Sequence, residues 1–127
     1  MLINQNRPKY LSIVHAVALD LSSALEEEVS KESRKQDEIT VLAGCYTIID
    51  YTANLLAKLG VNDDEYPEAV GKDHYLVAPE LMKDMAIELE SNLQDDNCPL
   101  AIDYRKVQAL AAFLLLIPHI ERLAEIV

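Results

Sequence analysis

The sequence predicts an all-α fold. Apolar side chains recur three and four residues apart through four separate segments, the spacing of one helix face. The residues on which sheet proteins lean are scarce, with no Trp, one Phe and three Gly in 127 residues. Gly60, Pro67 and Pro99 fall in the breaks between those segments. A chain of this length fits one domain, residues 1–127, and is long enough to bury a core without covalent staples.

The first helix is expected over 8–33, with Pro8 in the opening turn, where its missing N–H costs nothing. Tyr10, Leu11, Val14, Val17, Ala18, Leu21, Ala24, Leu25 and Val29 make its apolar face. The opposite side carries Ser12, Ala16, Ser23 and Ser30, small enough to let a second helix approach. The second helix is expected over 37–59, with Gly60 as the residue that stops it. Its apolar residues fill more than half the circumference and leave a narrow polar strip of Thr40, Thr47, Asp50, Asn54 and Lys58. An arc that wide demands cover from several directions.

Periodicity fails from Val61 to Ala78, which reads as a loop of about eighteen residues, long for a bundle connection. A third helix is expected from Pro79 to Leu93, with Leu81, Met82, Met85, Ala86, Leu89 and Leu93 on one face. Glu80, Lys83, Asp84, Glu88 and Glu90 lie opposite, and Ile87 projects from the middle of that charged side. A fourth helix starts between Pro99 and Tyr104. After Gln108 it runs Ala109-Leu110-Ala111-Ala112-Phe113-Leu114-Leu115-Leu116-Ile117 without one polar side chain. Nine residues are far short of a bilayer span of about twenty. Pro118 is expected to end or kink this helix, leaving a short tail helix to Val127. The architecture expected is an antiparallel bundle of four main helices, with a long second connection and that tail.

The net charge of −11 is concentrated. Residues 62–103 hold twelve acidic and two basic side chains (Lys72 and Lys83), and so carry −10 of it. Such a field repels nucleic acid and anionic membrane and attracts basic partners. No apolar leader precedes the first helix, so the chain is expected in the cytoplasm, with Cys45 and Cys98 reduced. Cys45 reads as a small core residue and Cys98 as a loop thiol.

Several chemistries lack their residues. His15, His74 and His119 have no i,i+4 partner, and neither cysteine has a companion at metal-ligand spacing. His15, at the border of the first apolar face, reads as a hydrogen-bonded boundary histidine. His119 is placed to complement the carbonyl end of the helix before it. Asp73-His74-Tyr75 is the one local triplet with acid–base character. Gly44, Gly60 and Gly71 are isolated, so no phosphate loop forms, and Pro67 excludes a calcium loop around Asp63-Asp64-Glu65. Glu26-Glu27-Glu28 and Glu32, followed by Asp37-Glu38 and Asp50, superficially resemble the paired-helix acids of all-α nucleotide pyrophosphatases of the MazG and dimeric dUTPase kind. That family holds Mg²⁺ with EExxE and then ExxD. The register departs from it: Ser30 or Lys31 stands where the third acid belongs, and Thr47 precedes Asp50 where a Glu is required.

The function expected is therefore non-enzymatic: a protein-interaction or regulatory module of the adaptor or inhibitor kind, without metal or cofactor, and homodimeric through its second and fourth helices. The candidate contact residues are Ile87, Leu110, Phe113, Leu114 and Ile117, with Glu80, Asp84 and Glu88 toward a basic protein partner. The alternatives are an acidic decoy that imitates nucleic acid and a divergent Mg²⁺-dependent nucleotide pyrophosphohydrolase.

Overall fold

A computed structural model describes residues 2–29, 36–61, 67, 69–94 and 104–126. Four helices account for nearly all of them: α1 (Leu2–Val29), α2 (Gln36–Leu59), α3 (Lys72–Gln94) and α4 (Tyr104–Ile126). Gly60 stops α2 in the left-handed conformation, φ 71°. Its N–H bonds to the Ala57 carbonyl and that of Val61 to the Leu56 carbonyl, so these two orphan carbonyls of the last turn are satisfied.

Three helix boundaries differ from expectation, and each involves proline. α1 begins before Pro8 and α3 before Pro79, and α4 runs through Pro118. A proline inside a helix removes one N–H and leaves the carbonyl four residues earlier without its donor. At Pro118 that carbonyl belongs to Leu114, on a side of α4 where both residues are exposed, so water can replace the lost bond. The segment after Pro118 is helical as expected, but it continues α4 rather than forming a tail. For α3 the start is set by Gly71, whose N–H donates to His74 Nδ1 at 3.0 Å while its carbonyl accepts from the His74 and Tyr75 amides. The connection between α2 and α3 shrinks accordingly to residues 60–71.

Each helix has two neighbours. α1 packs on α2 and α3, and α4 packs on the same two. Named contacts give the directions. His15 meets Thr52 and Glu26 meets Tyr46, which makes α1 and α2 antiparallel. Tyr75 reaches Asp20, while Tyr10 and Leu11 share a cleft with Leu81, Asp84, Met85 and Glu88, so α3 also opposes α1. Every packed pair is therefore antiparallel, as the sequence suggested, but α2 and α3 lie across the diagonal and run the same way. The end of α2 and the start of α3 lie roughly 20 Å apart along α1, at 1.5 Å per helical residue, from the level of Tyr10 to that of Ser23. The described residues of the connection, Pro67, Ala69 and Val70, lie against Ala16, Leu19, Asp20 and Ser23. The small side of α1 thus receives a crossing segment instead of a helix.

One core cluster draws on all four helices, with Val14, Val17 and Leu21 meeting Cys45, Ile48, Met82, Leu89, Phe113, Leu116 and Ile120. Tyr51 sets its ring edge-on to Phe113, centroids 6.1 Å apart. Close approach of α2 to α4 depends on Gly44, where an added Cβ would sit 3.2 Å from Leu115 Cδ2. Gly44→Ala is expected to be nearly neutral, because about 1 kcal/mol of helix propensity offsets the displacement of one methyl. Gly44→Leu must push the helices apart, at about 1–3 kcal/mol. Urea denaturation of the two variants checks this, and a neutral Gly44→Leu would show that the helices are not in close contact there.

Candidate functional site

The expected contact residues separate by burial. Ile87 (64% exposed) and Leu114 (60%) are the most exposed large apolar side chains among the described residues, while Leu110 is half-buried. Phe113 and Ile117 are corrected: both are buried in the core, at 0% and 7% exposure, and belong to no surface. A helix that is apolar on every side must still turn one side inward, and these two residues face that way with Ala109, Ala112, Leu116 and Ile120.

What α4 leaves outside is a stripe. Val107 (41% exposed), Ala111, Leu114 and Pro118 follow at spacings of four, three and four, and all are exposed. Ile87 belongs with them. The Lys83 Nζ–Glu121 Oε2 pair, 3.4 Å apart, sets the register of α3 on α4. Ile87 stands one turn beyond Lys83, and Leu114 two turns before Glu121. Both therefore share the outer side of the α3–α4 pair, at levels within about 5 Å of each other. The sequence singled out Ile87 and Leu114 but missed Val107, which stands among the polar residues that open α4.

Glu80, Asp84 and Glu88 follow one another at i, i+4 and i+8 along one side of α3. Glu80 lies with Glu121 and Glu125 in a groove against α4, whereas Asp84 and Glu88 line the cleft toward Tyr10 and Tyr51. The acids that resemble a magnesium site make separate contacts. Glu26 accepts a hydrogen bond from the Tyr46 hydroxyl. Asp50, one turn beyond Tyr46 on α2, lines a groove of about 160 Å³ with Asn54, Lys58, Lys106 and Gln108. Among the described residues no group of three or more His, Cys, Asp or Glu is placed to hold a metal ion. The side chains of Glu28 and Asp37, and the residues Glu32 and Cys98, lie outside the described residues.

His15 is 7% exposed and its Nδ1 lies 2.9 Å from Thr52 Oγ1, which bridges α1 to α2 as a hydrogen-bonded boundary histidine should. The Thr52 hydroxyl also lies 2.7 Å from the Ile48 carbonyl, to which it can donate. Burial holds the imidazole below its ordinary 6.5, and a hydrogen bond to the Ile49 carbonyl opposes this in part. The unfolded chain therefore takes up the proton at a higher pH than the folded one. Stability is complete above about pH 6.5 and falls as the pH drops toward the folded value. His119, lowered by burial and then by Arg122, contributes with the same sign. Urea midpoints at about pH 7.5 and pH 5.5 should show a smaller acid loss for His15→Gln than for the parent. Equal losses would remove His15 as the cause.

Cys45 is wholly buried, and burial pushes its thiol up to about 12, which makes it an unreactive packing residue. Of the Asp73-His74-Tyr75 triplet, Asp73 is exposed, His74 accepts the Gly71 N–H, and Tyr75 donates to Asp20 Oδ2 at 2.6 Å. Burial, and then the Asp20 bond, hold the Tyr75 phenol well above its ordinary range. The triplet starts α3 and ties it to α1. His119 does not cap a helix end as expected, because α4 continues past it; it lines a cleft against α2.

Two stretches, Glu38–Leu59 and Lys106–Glu125, are long and apolar enough to cross a membrane by length and composition, a test that core helices of soluble proteins also pass. No protein-family model, curated protein or solved structure matches the chain.

Proposed function

We propose that this chain is a non-enzymatic interaction or regulatory protein that works as a homodimer in the cytoplasm, closed through the outer side of α3 and α4. The observation that carries this reading is the pairing of Ile87 and Leu114 on adjacent helices, continued by Val107, Ala111 and Pro118. Contiguous exposed apolar surface of this kind marks an association site. A second copy is the occupant best matched to it, because a stripe centred near the middle of α4 is self-complementary about a two-fold axis through Leu114. The expectation of an α2–α4 interface shifts to α3–α4: the outer side of α2 sets Ile39 and Tyr46, both partly exposed, among Ala43, Asp50, Ala53 and Ala57, and the Tyr46 hydroxyl is tied to Glu26. A soluble bundle accounts for part of the apolar composition of α2 and α4, since Val41, Leu42, Cys45 and Ile48 on one and Phe113, Leu116, Ile117 and Ile120 on the other turn into the common core.

Sedimentation velocity at micromolar concentration tests the proposal. A species of twice the 14.2 kDa chain mass, in buffer without detergent, is expected. A clean monomer sinks the homodimer, and material that stays in solution only with detergent sinks the soluble reading.

A further inference from the structure

The outer side of α3 and α4 does not end with its apolar stripe. Beyond Pro118 it continues as a groove between the start of α3 and the end of α4. Leu76, Pro79 and Ala124 floor this groove, and Glu80, Glu121 and Glu125 wall it. Lys83 stands among these carboxylates and engages two of them, 3.5 Å from Glu80 Oε1 and 3.4 Å from Glu121 Oε2. Arg122 lines the cleft against α2 instead, and Lys106 lines the groove beside Asp50. One long face therefore carries exposed Val107, Leu114 and Ile87 along one part, and an excess of negative charge over exposed Leu76 at the other end.

Two occupants of this face differ in what they bring. A second copy in a two-fold contact brings the same apolar residues and the same acids, and each chain carries a net charge of −11. It covers the stripe but adds its own carboxylates to the field. A basic amphipathic helix covers the stripe and sets the opposite charge against the groove. Lys or Arg suits this groove in two ways, since its aliphatic stem packs on Leu76 while its charged head meets Glu80 or Glu125. From Val107 to Glu125 the face spans roughly 27 Å at 1.5 Å per residue, the length of a helix of about eighteen residues.

We infer that the outer side of α3 and α4 docks a basic amphipathic helix of a partner protein, with its apolar stripe on Ile87 and Leu114 and its basic end over Glu80, Glu121 and Glu125. This rests on the reading of that side as an association face, and it names the partner that displaces the second copy.

The probe is a synthetic helix of about eighteen residues built from Ala, Leu and Lys, with leucines at i, i+4, i+7 and i+11 and lysines toward one end. Fluorescence anisotropy of the labelled peptide against the full-length chain reads affinity, and sedimentation reads stoichiometry. The peptide is expected to bind and to replace the homodimer by a complex of one chain with one peptide. A permuted peptide of the same composition, which has no apolar stripe, should bind about tenfold or more weaker. Glu80→Gln combined with Glu121→Gln should weaken the peptide about tenfold and leave the homodimer as tight as before or tighter. Leu114→Ser should weaken both, and Asp50→Asn, away from this face, should change neither. Circular dichroism should be the same for every variant. A chain that is monomeric alone yet takes the peptide in this pattern would end the dimer reading and support this one. Equal binding of the permuted peptide, or no effect of the two glutamines, would overturn the inference. So would a peptide that binds without dissociating the dimer, or no binding with the chain in the high micromolar range.

Discussion

Leu114→Asp is expected to turn the homodimer into a monomer without unfolding it. At 60% exposure the Leu114 side chain supports little of its own chain's core, so the monomer should lose no more than the helix-propensity difference, under about 1 kcal/mol. At a two-fold interface the same change acts twice. Burying what remains exposed of Leu114 and Ile87 contributes about 1–2 kcal/mol per side chain, at 25 cal/mol per Å² of apolar surface. Two copies bring four such side chains. Replacing two of them by carboxylates, side by side and out of water, adds desolvation and like-charge repulsion of several kcal/mol. The dissociation constant should therefore rise by about a thousandfold or more, read by sedimentation across a concentration series. Ile87→Asp should act in the same direction and less strongly, since Ile87 stands to the side of the proposed axis. If Leu114→Asp sediments like the parent chain, the α3–α4 face is not the interface.

Phe113→Ala, one residue away, should do the reverse. Phe113 is 0% exposed, lies in the four-helix core and takes the edge of the Tyr51 ring. Truncating a buried Phe costs about 3–5 kcal/mol through lost transfer energy and the cavity left behind. The aromatic pair contributes up to about 1 kcal/mol more. Against a total stability of about 5–15 kcal/mol, that loss should move the urea midpoint far down or leave the chain partly unfolded at room temperature. Leu114→Ala is the control and should leave the monomer within about 0.5 kcal/mol. Similar losses at the two positions would mean that α4 is rotated about its axis from the orientation described.

That contrast also shows how far the sequence could be read. The number of helices, the stop at Gly60, the buried Cys45 and the hydrogen-bonded His15 were all legible, because polar and apolar residues alternate around them. Between Ala109 and Ile117 there is no such contrast. Nine apolar residues in a row carry no phase, so nothing distinguishes Phe113, which faces inward, from Leu114, which faces outward. Pro118 misled for a different reason. Proline marks a helix boundary only where the orphaned carbonyl cannot find water or a distorted bond, and that depends on which side of the helix meets solvent. The cleft between α2 and α4 that His119 lines was illegible because its walls come from residues about eighty apart in sequence.

The crossing between α2 and α3 bears on how the chain finds its fold. α1 with α2 and α3 with α4 are two antiparallel hairpins, and residues 60–71 are the tether between them. A Gly-rich chain of twelve residues has a root-mean-square reach of about 17–21 Å, and the four acids here extend it somewhat, so it covers the roughly 20 Å between the hairpins without slack to spare. A tether matched to its span gives the highest local concentration of one hairpin for the other. Each hairpin therefore meets its own partner before that of a neighbouring molecule. Removing a few residues from the tether would end that advantage, and hairpins would be exchanged between chains.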